Sequence, residues 1–306
     1  MEVTQAINAF LTHCKVEKNL SPKTLKAYGI DLNQLSLFLR KKNIAEITDI
    51  TKGEIKEYAG CLTVFSPSTM RRKIATLKAF FNHHEFEENI AANPLRKVKL
   101  SVKLPKTLPK VMSLPQVEKI LSAAYKEQQE LRKNSFAYKR AVRNVAVLEL
   151  LFTTGIRVAE LCSLTVDSVS ADFSLIAVVG KGSRERRIPI ANQAVRAALM
   201  LYHKCFKNEV AASFFVNRLH HRLSEQSVRH MVAYYARKAK ISQRITPHVF
   251  RHTFATLLLE KDVDIRYIQH ILGHSSISVT QLYTHVNDKK KYEILCVKHP
   301  RNEVVV

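Results

Sequence analysis

The sequence predicts a mainly α-helical protein in two domains, with one small β-hairpin in the second. Three observations point there. Apolar residues recur at spacings of three and four along most of the chain. A basic stretch containing prolines interrupts that pattern near residue 100. Residues 165–190 change to short apolar runs around a glycine-containing turn.

Val3, Ile7, Phe10 and Leu11 share one helical face. Ser21-Pro22 sets a capping hydroxyl before a proline at the first helical position, and Leu25, Tyr28, Leu32, Leu35, Phe38 and Leu39 carry the helix to about Arg40. A shorter helix is expected from Lys52 to Leu62, and Ser66-Pro67 opens another with Ile74, Leu77, Phe80 and Phe81 toward a core. These four helices form the first domain, residues 1–98. Residues 93–110 hold three prolines, six basic residues and no acidic one, so a basic linker is expected over 99–112. The second domain, 113–306, begins at Ser113-Leu-Pro. Helices are expected to Thr154, with irregular structure around Gln128 to Tyr138, then strands on either side of Gly180-Lys181-Gly182-Ser183, then helices from Asn192 onward.

Charge narrows the function. Lys plus Arg number 49 against 26 Asp plus Glu, a formal +23. Self-repulsion on that scale destabilises a compact chain, and a polyanionic partner such as nucleic acid explains it. The excess is spread over both halves, 19 basic against 10 acidic in residues 1–110 and 30 against 16 in 111–306, so both domains are expected to face phosphate. Cys14, Cys61, Cys162, Cys205 and Cys296 are widely spaced without a Cys-x-x-Cys, which fits reduced thiols and a cytoplasmic protein. No signal peptide or membrane-length apolar run is visible. His83-His84 and His220-His221 lack companion Cys or carboxylate spacing, so they read as surface or DNA-facing rather than metal-binding.

Four motifs carry chemistry. In Thr246-Pro-His248-Val-Phe-Arg251, the His and Arg lie three apart at a helix start, where backbone N–H groups favour an anion. In Thr154-Gly155-Ile-Arg157-Val-Ala-Glu160, Gly155 breaks a helix and Glu160 is placed to hold the guanidinium or the local backbone of Arg157. Lys181 sits at a hairpin tip, suited to a mobile proton donor or a DNA contact. The tip is no P-loop, since Leu175 stands where that motif needs Gly and Gly182 where it needs Ser or Thr. In Gly273-His274 through Tyr283, a histidine follows a helix-ending glycine and a tyrosine follows nine residues later. Each motif alone has an ordinary structural explanation.

Taken in order, the phrases TTGIRVAEL, GKGSRERRIPI, HVFRHTFATLL and LGHSSISVTQLYTHV resemble the tyrosine recombinase (phage integrase) family, with Xer-like endings after Tyr283 and at His299-Pro300-Arg301. NLSPKTLKAYGIDLNQLSLFL resembles that family's SAM-like core-binding domain. The resemblance implies a C-shaped DNA clamp made by that domain and the catalytic domain. It implies that Arg157 and Arg251 bind the scissile phosphate, Tyr283 attacks phosphorus and Lys181 protonates the departing 5′ oxygen. His248 would handle the tyrosine proton, His274 would bond a non-bridging oxygen, and Glu160 would support the first arginine. Lys23, Lys26, Arg71, Arg72, Lys73, Lys103, Lys106 and Arg184 are the expected DNA contacts. One departure is the stretch Ala124–Arg140, longer than in compact Xer-like members.

The expected activity is site-specific recombination through a 3′-phosphotyrosyl intermediate and a Holliday junction, in a homo- or heterotetramer on double-stranded DNA at the nucleoid. The set holds several cations and one acid, so neither metal nor other cofactor is expected. A covalent phosphotyrosine conserves the bond energy, so no nucleotide is needed. Integration or excision and dimer resolution are both compatible with these residues. A type IB topoisomerase and a non-catalytic DNA-binding regulator are the competing readings. The apolar positions Tyr292, Ile294, Leu295 and Val297 make 289–297 a segment expected to dock on a neighbouring protomer.

Overall fold

The computed structural model describes residues 1–96, 98, 100, 102, 110–133, 135–180, 185–207, 212–273 and 288–305, with the side chains of 288–291 left aside. It divides into two compact units, Met1–Thr107 and Leu108–Val306.

The first unit packs α1 (Val3–Val16), α2 (Pro22–Arg40), α3 (Lys52–Cys61) and α4 (Pro67–Phe86). Its helix starts are built by short polar side chains. Ser21 Oγ and Ser66 Oγ accept from the amides of Thr24 and Thr69. Thr51 and Glu54 close a reciprocal cap on α3. Phe10, Leu32, Leu35, Leu77, Phe80 and Phe81 fill the core. Within it lies a buried polar knot. Lys73 donates to Asp31 at 2.9 Å, Thr76 Oγ1 donates to the same carboxylate at 3.0 Å, and Arg72 pairs with it from the surface side. Lys73 is 2% exposed. This corrects its expected DNA contact: an ammonium sealed against a carboxylate in the core does not reach a phosphate. His84 is likewise fully buried, bonded to Ala6 O and Asn89, so it is not the surface histidine expected. Leu95 and Val98 belong to this core, and Leu100 and Val102 pack on it, so the basic stretch starts as an anchored segment.

The second unit is built around α6 (Phe136–Thr154), buried at nearly every residue from Ala141 to its end, as a helix that is apolar all round must be. Helices α5 (Leu114–Glu130), α8 (Gln193–Phe206), α9 (Glu225–Lys238) and α10 (Pro247–Glu260) pack on it, and α7 (Val158–Ser163), α11 (Ile265–Leu272) and α12 (Asp288–Lys298) add to the same core. Strands β1 (Leu175–Val179) and β2 (Glu185–Pro189) pair antiparallel with Ile176 opposite Ile188. The long 124–140 stretch is the end of α5, a short link and the start of α6, where Ser135 caps by accepting from Tyr138 N. Residues 213–223 depart from the expected helical run. Ser213 bridges Thr165, Val216 bridges Arg222, and the Tyr202 hydroxyl donates to Phe214 O and accepts from Val216 N. Phe214, Phe215 and Val216 are an apolar triplet too short for a helix, buried in a bent segment held by isolated bridges.

The C-terminal segment returns to α6. Leu295 enters the unit's own core, whereas Tyr292 and Val297 are exposed. His299 meets Thr153 O at 2.5 Å. Arg301 makes a two-pronged bond with Glu149, both contacts 2.6 Å, and Tyr125 donates to the same carboxylate. Burial works against the Arg301 charge, but the Glu149 bonds outweigh it and raise its pKa. No helix among the described residues is long and apolar enough to cross a membrane.

Candidate active site

Four helix ends meet in the second unit. Helix α6 stops at Gly155, whose φ of 57° is the left-handed C-cap conformation that glycine adopts without strain. The chain then turns into α7 with Arg157 at its N-cap position. Pro247 and Thr246 start α10 so that His248 falls in its first turn and Arg251 one turn further. Helix α11 ends at Gly273, again left-handed with φ 66°.

Three guanidinium groups converge on the C-terminal end of α11. Arg186 Nε donates to Ile271 O at 2.9 Å, Arg251 to Leu272 O at 2.7 Å and Arg157 to Gly273 O at 3.2 Å. Three successive carbonyls thus each take a different arginine. A helix C-terminus carries unsatisfied carbonyls and partial negative charge, which suits cations there. Arg251 also donates to Gly155 O at 2.8 Å, joining the ends of α6 and α11 through one side chain.

Glu160 sits beneath these cations, 6% exposed. It accepts from the Arg157 amide at 2.9 Å and the Arg157 guanidinium at 2.8 Å, so it holds both the backbone and the side chain of that residue. It also accepts a fork from Arg186 at 3.1 and 2.7 Å. Burial alone would raise the Glu160 carboxyl, but the bonds and charge of Arg186, then those of Arg157, outweigh it and hold it below its ordinary value. Three guanidiniums against one carboxylate leave two positive charges uncompensated. Arg251, 6% exposed, is lowered to about 10 by burial and then by the charge of Arg157, so it stays protonated at neutral pH. His248 is exposed, and its pKa is lowered by partial desolvation and then by the cations around it, His252, Arg251, Arg229 and Arg157. The shift favours the neutral imidazole, the form able to accept a proton, beside a cationic pocket. Such a site is suited to an oxyanion with developing charge on its equatorial oxygens.

The structure thus brings together Arg157, Glu160, Arg251 and His248. Lys181, His274 and Tyr283 lie outside the described residues, as do Lys103, Lys106 and Arg184. Lys26, Arg71 and Arg72 are exposed on the first unit, and so is Lys23. The residue of this cluster that sequence reasoning missed is Arg186. Its signal was strand alternation: it shares a face of β2 with buried Ile188, two residues on.

Comparison with known proteins places these features. Residues 110–290 match the phage integrase family, and residues 7–85 match the phage integrase N-terminal SAM-like domain. A tyrosine recombinase of Agathobacter rectalis is 43% identical over 300 residues, covering 97% of each chain. Tyrosine recombinase XerC of Thermodesulfovibrio yellowstonii is 35% identical, covering 96% of each. Among solved structures, the XerH site-specific recombinase bound to a palindromic difH substrate in a post-cleavage complex shares the fold, with a TM-score of 0.71 at 20% identity over 95% of this chain and 84% of that one.

Proposed function

This chain belongs to the phage integrase family and is a site-specific DNA recombinase, and from that premise we propose that Tyr283 is its nucleophile and that Arg157 and Arg251 bind the scissile phosphate. In the proposed step the Tyr283 phenol oxygen bonds to phosphorus and the bond to the 5′ oxygen breaks. His248 takes the phenolic proton, and Lys181 gives a proton to the departing 5′ oxygen. His274 donates to a non-bridging oxygen. The product is a 3′-phosphotyrosyl link, resealed when a 5′ hydroxyl from the exchanging strand attacks and the same protons return. Two such exchanges pass through a Holliday junction. The observation that supports this most is the convergence of Arg157 and Arg251 on the end of α11, where Glu160 fixes Arg157 but leaves its side chain 35% exposed toward solvent. A bound phosphate there meets the part-exposed guanidinium of Arg157, with the buried charge of Arg251 beside it.

In this reading the partner is double-stranded DNA carrying a specific site. Lys23, Lys26, Arg71 and Arg72, with Lys103, Lys106 and Arg184, contact its backbone, and Lys73 is withdrawn from that set. Four protomers, identical or shared with a related recombinase, hold two duplexes, and the enzyme works at the nucleoid. The first domain, the linker and the catalytic domain divide this labour over 1–98, 99–112 and 113–306.

The test is to map the bound DNA by chromatin pull-down, recover the junctions, and build a nicked duplex on that site. Wild-type protein is expected to form a detergent-stable protein–DNA adduct, and Tyr283→Phe none. An adduct that persists in Tyr283→Phe removes the nucleophile assignment. Relaxation of any supercoiled plasmid without a site requirement would instead mark a topoisomerase.

A further inference from the structure

We propose that Arg186 is a positioning residue for strand cleavage: it occupies the Glu160 carboxylate so that the Arg157 guanidinium remains available to the phosphate. The proposal rests on the reading that Arg157 binds that phosphate.

The β2 register directs Arg186 inward. It lies opposite Val178 and shares a face with Ile188, so its side chain enters the core and is only 9% exposed. A guanidinium so placed needs partners for its donors. It finds them in the Glu160 fork and Ile271 O, using all three of its nitrogens. The stem also packs tightly under the end of α11, since a Cβ added to Gly273 would lie 3.0–3.2 Å from Arg186 atoms.

A carboxylate offers about four lone-pair sites. Glu160 receives the Arg157 amide, one Arg157 guanidinium contact and the two-pronged Arg186 fork, so it is saturated. Arg157 is thereby limited to a single side-chain bond with Glu160 and keeps its remaining donors for other partners. Without Arg186, two acceptor sites open and Arg157 is the cation at hand. It would turn its own fork onto Glu160, and its charge would be spent on the carboxylate. The link between β2 and Ile271 O would go as well, loosening the carbonyls that orient Arg157 and Arg251.

The experiment uses full-length protein and the nicked duplex bearing the mapped site, in single-turnover adduct formation. Arg186→Gln is expected to slow cleavage about 100-fold, the scale of an ångström-level misplacement, with DNA affinity within about 3-fold of wild type. Arg186→Lys, which keeps charge and stem but not the fork, should recover about 10-fold of that. A second duplex with a neutral methylphosphonate at the scissile position separates positioning from mere structure. There Arg157 has no phosphate charge to meet, so the gap between wild type and Arg186→Gln should shrink to under about 10-fold. Should Arg186→Gln fail to fold, the same comparison is made with Arg186→Lys, whose smaller gap should also close on the neutral duplex. An undiminished cleavage rate in Arg186→Gln, or an equal gap on both duplexes, overturns the proposal while leaving the phosphotyrosyl reading intact. If wild type itself forms no adduct, that reading falls, and this proposal falls with it.

Discussion

Replacing Gly155 by alanine tests whether the junction of α6 and α11 sets both stability and cleavage. The backbone there has φ +57°, and a Cβ would come within 2.6 Å of Leu272 Cδ2 and 2.7 Å of Phe254 Cδ1. Both neighbours are buried and have little room to retreat. The left-handed conformation costs alanine about 1 kcal/mol more than glycine. Forcing a methyl into a packed core adds about 1–3 kcal/mol. The sum is roughly 2–4 kcal/mol, to be read as a lowered urea midpoint of the second unit's transition with unchanged slope. Function should suffer beyond that. Gly155 O and Leu272 O both accept from Arg251, so the residues displaced flank one side chain proposed to bind the scissile phosphate. Adduct formation measured well below the unfolding midpoint should fall about 100-fold. A variant that loses less than about 0.5 kcal/mol and cleaves normally would refute the steric argument and the coupling together.

Two further outcomes can be checked on stability alone. His84 and His299 are each held down to about 4, chiefly by burial. Their neutral forms are favoured in the fold, so their contribution is complete above the unfolded value near 6.5 and is lost as pH falls from there toward 4, on the order of 3 kcal/mol each. Urea midpoints should drop between pH 7 and pH 4.5, and His84→Gln should flatten the drop for the first unit; an unchanged drop would remove the assignment. Lys73→Met should destabilise the first unit by about 3 kcal/mol, the low end for a broken buried pair because Arg72 and Thr76 still hold Asp31. Loss of DNA binding without loss of stability in that variant would restore Lys73 to the DNA-contact set.

What was legible in the sequence was local. Ser21-Pro22 and Ser66-Pro67 announced their helices, and those serines cap them. Gly155 and Gly273 announced two helix ends, and both adopt the left-handed conformation. Glu160, three residues from Arg157, could be read as its support because both lie within one turn. Partners far apart in sequence were not legible. Lys73 is four residues before Leu77 and seven before Phe80, on the apolar face of α4, but its partner Asp31 lies 42 residues upstream. Arg186 reaches Glu160 across 26 residues and Ile271 across 85. Nothing in β2 alone says where an inward guanidinium will find a carboxylate. The non-helical 213–223 segment was missed for a similar reason, since Ser213 pairs with Thr165 and Val216 with the hydroxyl of Tyr202.

The Glu149–Arg301 pair ties the order of synthesis to the order of folding. Arg301 is added 152 residues after Glu149, and His299 146 residues after Thr153. Until they emerge, the central helix of the catalytic unit carries a fully buried carboxylate without its guanidinium, a state that costs several kcal/mol. Contacts of such separation form late, after the local helices. A chain interrupted between Tyr283 and Arg301 still contains every residue proposed for the chemistry, yet lacks the clasp at the end of α6. Such chains should therefore be degraded more readily than chains that carry the clasp, so the contacts of His299 and Arg301 lengthen the lifetime of the folded second unit.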